Sequence, residues 1–239
     1  MAQEQAELRE LLASGEITDC ELSPWGSNYT FLATVRAGGR AVRAVYKPRQ
    51  GEAPLWDFPD GTLYKREYAS YLLSRLLGWE FIPLTLIRDG PFGVGAVQLY
   101  VEHDPECNYF QLRERHRDVL RVMALFDVVA NNADRKAGHC LLDRQGRVWG
   151  IDHGLTFHPQ PKLRTVIRDF CGTPIPEGLL APLRRLRAAL AHPNGAAREL
   201  VALLEPLEVE ALARRVEAVL ARPEFPPLHP YRNVPRPPW

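Results

Sequence analysis

The sequence predicts an α+β protein in two lobes, a small antiparallel sheet with one helix and then a mainly helical half. Three observations predict it. Residues 17–47 alternate β-prone runs with tight turns, and the Gly38-Gly39 pair between two of those runs is a hairpin signal. One amphipathic pattern, Tyr64 to Leu77, interrupts the strands and stops at Gly78, where a helix cap is expected. After Val101 the strand signals give way to helical periodicity, so the lobes divide as 1–101 and 102–222, with a proline-rich tail at 223–239.

The elements follow in order. Glu4 to Ser14 is a short helix with Leu8, Leu11 and Leu12 on one side and Gly15 closing it. Ile17 to Leu22 is a strand, and residues 23–28 form a tight polar loop. Tyr29 to Val35 and Arg40 to Lys47 are the next strands, the last stopped by Pro48. The loop from Gly51 to Thr62 carries Pro54 and Pro59 and is longer than most connections, a lid or an insert. Helix 64–77 follows, keeping Tyr64, Tyr68, Tyr71, Leu72 and Leu76 at helical spacing. Phe81 to Ile87 and Gly95 to Val101 complete the strands. Gln111 to Val129 is the first helix of the second lobe, with Leu112, Val119, Leu120, Met123, Ala124 and Val128 on its apolar stripe. Three amphipathic helices near 177–191, 195–204 and 206–221 close the lobe. Their arginines, Arg184, Arg185 and Arg187 among them, read as a solvated face.

Composition bounds the function. With 46% hydrophobic and 25% charged residues in a chain of 239, a real core is available. A formal charge of +1, from 30 basic and 29 acidic residues, argues against a nucleic-acid-wrapping protein. No apolar run reaches the length of a transmembrane segment, and residues 1–17 lack the apolar stretch of a signal peptide. Four scattered cysteines, without a CxxC pair, fit a reducing cytoplasm better than a disulfide framework. A zinc site from Cys140 with His139, His153 and His158 lacks metal-ligand spacing. The tail holds Pro223, Pro226, Pro227, Pro230, Pro235, Pro237 and Pro238. It packs as an extended strap anchored by Phe225, Tyr231 and Trp239, or it meets a proline-reading partner.

The chemistry concentrates in residues 127–154. The end of a helix leads into a polar loop with Asn132, Asp134, Arg135 and His139. An apolar triplet, Cys140-Leu141-Leu142, and a strand, Val148 to Ile151, then form a hairpin that ends on Asp152-His153-Gly154. A hairpin with polar residues at both open ends brings Asp134, His139 and Asp152 toward one place. Phosphoryl transfer suits that set: one carboxylate to orient the attacking hydroxyl, further ligands for Mg²⁺ on a triphosphate. Asp134 is then the base and His139 and Asp152 the metal ligands, while the bland alternative is a polar loop with surface carboxylates. Asp127 is placed to tie the loop down by accepting backbone N–H bonds. In the first lobe, loop 24–28 offers Ser27, Asn28 and backbone N–H groups to phosphates. Lys47 either snorkels from a sheet edge or neutralises phosphate charge. Glu67 either complements the helix dipole or pairs with Lys47.

A β-rich lobe with a strand-end lysine and a glutamate-bearing helix, then Asn132-x-Asp134-Arg135-x-x-x-His139 and Asp152-x-Gly154, resembles the protein-kinase-like superfamily. The closer likeness is to its atypical branch, the phosphatidylinositol 3- and 4-kinases, and within it to type II phosphatidylinositol 4-kinases and the bacterial proteins like them. Val45-Tyr46-Lys47-Pro48-Arg49 looks like that branch's lysine strand, and residues 151–157 like its metal-binding turn. The resemblance spans about residues 23–157. It implies a bilobal kinase-like fold that binds ATP with Mg²⁺ or Mn²⁺. Lys47 contacts the α/β phosphates, Glu67 holds Lys47, and Leu99, Tyr100 and Val101 hold adenine through backbone groups. Asp134 is the base with Arg135 beside it, and Asp152 binds the metal. His139 stands where the family has a metal-binding asparagine. An imidazole ligand favours softer ions, which implies Mn²⁺ over Mg²⁺ or one tight metal only. The acceptor is a hydroxyl of a protein or small molecule, since no lipid-anchoring helix is evident. The rival readings are a nucleotide-binding pseudokinase acting as a scaffold or regulator, and an AMP transferase on the same fold.

Overall fold

The computed structural model describes residues 2–24 and 28–239. Helix α1 (Ala2–Ser14) is followed by strands β1 (Glu16–Leu22), β2 (Phe31–Ala37) and β3 (Arg40–Pro48). Helix α2 (Leu63–Leu77) precedes strands β4 (Thr85–Gly90) and β5 (Gly93–Leu99). The rest is helix α3 (Tyr109–Leu112), helix α4 (Arg117–Ala130), the hairpin β6 (Cys140–Leu142) and β7 (Val148–Gly150), and helices α5 (Glu177–Ala191), α6 (Gly195–Ala202) and α7 (Pro206–Ala221). The class is the expected α+β, an antiparallel sheet with its helix and a helical half.

The chain divides into two units, Met1–Tyr68 with Pro83–Val101, and Ala69–Ile82 with Glu102–Trp239. Residues 69–82, expected with the sheet, cluster with the helical unit because their polar and aromatic groups are spent there. Ser70 Oγ lies 3.1 Å from Thr156 Oγ1, the Phe81 carbonyl accepts the Gly150 N–H at 2.8 Å, and the Phe81 ring meets Phe126 edge-on at 5.1 Å.

In the first unit the sheet order is β1-β2-β3-β5-β4, and every neighbouring pair is antiparallel. Gly38 and Gly39, at φ 55° and 77°, make the two-residue turn between β2 and β3 that most side chains would resist. Along β3 the alternation buries Ala44, Tyr46 and Pro48 and turns Val45 and Lys47 to the other face. Lys47 pairs with Ala96 and Pro48 with Gly95. A Cβ on Gly95 would sit 2.5 Å from the Lys47 carbonyl oxygen, so only glycine lets β5 approach there. The Arg88 guanidinium donates to the Leu12 and Gly15 carbonyls at 2.9 and 2.7 Å, closing the end of α1. The expected strand 81–87 begins only at Thr85, after Pro83, which has no N–H for a ladder. The 51–62 loop caps a helix: the half-buried Glu52 carboxylate accepts from Leu63 N and Tyr64 N at 3.0 and 2.7 Å.

In the second unit Leu120, Met123, Leu125, Phe126 and Val129 of α4 are buried, as are Leu183 and Leu186 of α5 and Leu212 and Val216 of α7. The helix expected over 111–129 is two pieces. A capping box at Asn108 and Gln111 starts α3, and the charged run Arg113-Glu114-Arg115-His116 has no apolar stripe to carry helix into α4. Helix α4 stops at Asn131, whose left-handed φ of 54° turns its N–H back to the Asp127 and Val128 carbonyls.

Candidate active site

The loop after α4 is built around one buried acid. Asp127, with no exposed side-chain surface, accepts from Asn132 Nδ2 at 2.9 Å, Thr165 Oγ1 at 3.0 Å, and Arg135 Nη2 and Nε at 2.9 and 3.1 Å. It was expected to take backbone N–H groups; side chains satisfy its carboxylate instead, and its backbone carbonyl takes the Asn132 N–H at 2.9 Å. Asn132 in turn accepts the Asp134 N–H on Oδ1 at 3.0 Å, an Asx turn that sets the next residue.

From there the chain is extended. Arg135 exchanges backbone bonds with the Arg164 carbonyl (3.0 Å) and the Val166 N–H (3.1 Å), a short parallel bridge to residues 164–166. In an extended stretch side chains alternate, so Asp134 and Lys136 share a side and Arg135 points the other way. Arg135 is fully buried. Beyond Asp127, its guanidinium donates to the Ile151 carbonyl at 3.0 Å and to His153 Nε2 at 2.6 Å. The expectation of a catalytic Arg135 is thereby corrected: the side chain is walled off from any substrate and holds the loop in place. His153, considered as a second nitrogen ligand, is equally buried, with Nε2 spent on Arg135 and its ring edge-on to Phe126 at 5.5 Å.

Asp134 keeps 24% of its side chain exposed and has Lys136 Nζ 3.1 Å from Oδ2. Burial pushes its carboxyl up to about 6, against the opposing pull of Lys136 and with a further push from Asp152. Asp152 sits at φ 59°, a left-handed conformation rare outside glycine and turn residues, and its carboxylate is half-exposed. His139 Nε2 lies 3.3 Å from Asp152 Oδ2. The Lys136 backbone N–H points at His139 Nδ1 at 3.3 Å, which leaves the ring proton of the neutral imidazole on Nε2. In this arrangement the protonated Nε2 faces Asp152, and ligating a metal through Nε2 requires giving up the bond from Lys136. Among the described residues no group of three or more His, Cys, Asp or Glu gathers for a metal. Cys140 is buried, its thiol pushed up to about 12 by desolvation, an inert core group. The donors therefore suit a hard ion bound by a carboxylate together with phosphate oxygens, as Mg²⁺ is usually bound, and not a protein cage.

In the first unit Lys47 Nζ donates to Glu67 Oε1, with 22% and 4% of their side chains exposed. Helix α2 begins at Leu63, so Glu67 lies past the first turn, where a dipole effect fades. Ser27 lies outside the described residues. Asn28 Oδ1 accepts the Ala53 N–H at 2.8 Å, so its amide oxygen secures the turn after β3. Leu99 N–H goes to the Leu84 carbonyl at 2.8 Å and Tyr100 N–H to the Arg43 carbonyl at 3.0 Å. The N–H groups of Leu99 and Tyr100 are thereby engaged within the sheet, so the expected hinge falls to their carbonyls and to Val101. Two features escaped the sequence reading. Lys136 was signalled by its two-residue spacing from Asp134; the grip of 164–166 on Arg135 had no local signal.

A family model described as phosphatidylinositol 3- and 4-kinase matches residues 87–217. Protein Rv2133c of Mycobacterium tuberculosis (strain ATCC 25618 / H37Rv) is 39% identical over 262 residues, covering 95% of this chain and 94% of that protein. Two crystal structures of the Golgi casein kinase share the fold. One has a TM-score of 0.55 at 14% identity; the other, with Mn/ADP bound, has 0.57 at 15%. Each match covers 92% of this chain and 75% of the other. The Helicobacter pylori proinflammatory kinase CtkA matches at TM-score 0.51 and 12% identity, over 90% of this chain and 94% of that one. At such identities the likeness is one of fold, and the fold is kinase-like.

Proposed function

We propose that this chain, which belongs to the phosphatidylinositol 3- and 4-kinase family, is an ATP-dependent phosphotransferase that passes the γ-phosphoryl group to a hydroxyl of a protein or small molecule. Asp134 carries the reading. A carboxyl raised to about 6 by burial, with a lysine 3.1 Å away and a second carboxylate raising it further, has the properties of a base working near neutral pH. Asp134 receives the acceptor hydroxyl and takes its proton. Lys136 keeps that carboxylate ionised in a place where water alone would not.

Asp152 would hold a divalent cation, Mg²⁺ or Mn²⁺, on the nucleotide. When bound, the cation neutralises charge on the phosphates. The Lys136 N–H on His139 Nδ1, with Nε2 turned toward Asp152, supports one ion held by Asp152 over an ion ligated by the ring. Lys47, its ammonium fixed by Glu67, is the residue for the α/β phosphates. Arg135 acts from behind, through Asp127 and the backbone of the loop.

The test is thermal stability with ATP, without metal and with Mg²⁺ or Mn²⁺, on the wild type, Asp152→Ala and Asp134→Asn. A ligand that binds only the folded state raises the melting temperature. The expected result is a metal-dependent rise that Asp152→Ala abolishes and Asp134→Asn keeps, while both lose phosphoryl transfer. A rise that needs no metal and survives Asp152→Ala would replace this reading with nucleotide binding by a pseudokinase. A product heavier by AMP would replace it with an AMP transferase.

A further inference from the structure

The segment 223–239 holds seven prolines, so it has few N–H groups and cannot join a helix or a central strand. It is nonetheless fixed to the second unit, chiefly through its own carbonyl oxygens. The Pro223 carbonyl accepts from Ile175 N at 2.9 Å, and Phe225 exchanges backbone bonds with Gly172 and Thr173 at 3.0 and 2.9 Å. The Arg168 guanidinium donates to the carbonyls of Leu228 at 3.0 Å and Pro230 at 3.4 Å. The Asn233 carbonyl accepts from Thr165 N at 3.0 Å, and Asn233 Nδ2 donates to the Leu163 carbonyl at 2.6 Å. As the segment advances, its partners step back along the chain from residue 175 to residue 163.

Its final bond leaves that series. The Pro238 carbonyl accepts the N–H of Ala137 at 2.8 Å, between Lys136 and the turn that presents His139. Asn233 grips Leu163 and Thr165, and the residues that alternate with them, Arg164 and Val166, grip Asp134's loop. Arg164 N donates to the Asn132 carbonyl at 2.9 Å, Arg135 is bonded to Arg164 and Val166, and Thr165 Oγ1 reaches Asp127. Three layers therefore lie side by side, residues 132–135, residues 163–166 and Asn233, and the segment also holds the far end of the loop at Ala137. Phe225 is buried against Phe170, whereas Tyr231 and Trp239, expected as anchors, are 74% and 76% exposed. Hydrogen bonds, most of them to the segment's own carbonyls, do the fastening there.

We infer that the proline-rich segment is a positioning strap for the loop that carries Asp134, and that Asn233 is the positioning residue through which it sets that loop. Asn233 acts through residues 163–166 on the backbone of 132–135, so its loss bears first on how Asp134 meets the acceptor. The kinetic half of this inference rests on the phosphotransferase reading, and the structural half does not.

The experiment uses the full chain with Asn233→Asp. This change keeps an oxygen for the His229 N–H, which Asn233 Oδ1 accepts at 2.8 Å, but removes the donor to Leu163 and sets a carboxylate against that carbonyl. Tyr231→Ala, trimming an exposed ring, is the control, and Arg168→Lys loosens the strap at a second place should Asn233→Asp fold poorly. Amide hydrogen exchange at Ala137 and Thr165 is expected to quicken about tenfold in Asn233→Asp, the factor one lost hydrogen bond of this kind carries, with strands β2 and β3 unchanged. Measured as ATP turnover, kcat is expected to fall by a similar factor while KM for ATP stays put, and Tyr231→Ala matches the wild type. Unchanged exchange at Ala137 and Thr165 in both strap variants would overturn the inference. Quickened exchange with kcat unaltered would overturn the positioning role. A wild type that turns over no ATP, with exchange still quickened by Asn233→Asp, would sink the phosphotransferase reading and leave the strap standing.

Discussion

Asp134→Asn is expected to make the protein more stable, and the size of the gain follows from the site. The carboxyl is pushed from an ordinary 3.8 to about 6, chiefly by burial. A raised acid pKa means that the folded state binds the proton more tightly than the unfolded chain, so ionising the group costs stability. That cost is absent below about pH 4, grows as pH rises toward 6 and is full above it. About two pH units, at about 1.4 kcal/mol each, set the cost near 3 kcal/mol. For a chain of this length each kcal/mol is about 2–4 °C in melting temperature. Asparagine keeps the shape and an acceptor for Lys136 without the charge. The assay is the melting temperature of wild type and Asp134→Asn from pH 4 to pH 8. The curves are expected to coincide near pH 4 and to part by about 6–12 °C at pH 8, the variant the more stable. A variant less stable at pH 8, or a gap that does not change with pH, would refute the reasoning, because neither follows from relieving a buried charge.

Asp127→Ala strands the buried Arg135 guanidinium and is expected to cost about 3–5 kcal/mol in denaturant unfolding; a loss below about 1 kcal/mol would mean the pair is not the loop's anchor. Turnover is expected to rise with pH through about 6 as Asp134 ionises. Because Lys136 lowers that pKa, Lys136→Met is expected to move the acidic limb upward, and a limb that stays or moves down would remove Asp134 as the base. At Gly150 an added Cβ would lie 2.8 Å from Phe81 ring carbons and 2.9 Å from Met123 Cε; Gly150→Ala is expected to lower stability by about 1–3 kcal/mol, read by thermal unfolding. Asp152→Gly relieves a left-handed backbone that Asp152→Ala does not, so the glycine variant is expected to be about 1 kcal/mol the more stable; equal melting temperatures would show that φ at 152 carries no strain.

Much of this was legible where local chemistry decides the outcome. The Gly-Gly turn, the capped helix 63–77 and the three closing helices stand within a few residues of their expected places, because hairpin turns, caps and leucine spacing are short-range signals. What was not legible is long-range or backbone-borne. The break at Arg113–His116 and the late start of β4 reflect the lack of an apolar stripe and the presence of Pro83, both visible in the sequence but underweighted against helix and strand runs around them. Arg135 reads as a surface or substrate-facing charge until the bridge to residues 164–166 fixes the alternation that turns it inward. Tyr231 and Trp239 read as anchors because aromatic rings usually bury, yet only Phe225 does so; past it the strap is held mainly through its carbonyls.

Two of the costs in the second unit fall on residues proposed to act. Asp134 holds a charge where burial opposes it, and Asp152 holds a left-handed backbone without being glycine. Asn131 and Phe157 beside them hold left-handed backbones too, at φ 54° and 66°, while Asp127 is met by four hydrogen-bonding atoms of Asn132, Arg135 and Thr165, and Arg135 by Asp127, Ile151 and His153. A buried, hydrogen-bonded polar cluster gives little net stability compared with an apolar one of the same size. It does fix a unique geometry, since any shift of the loop would leave a buried charge unpaired. That is the property a base and a metal ligand drawn from two ends of a hairpin require. The local costs at Asp134 and Asp152 are therefore the mark of a site held in place against its own preferences. The Asp127–Arg135 pair is the reason the loop does not relax them away.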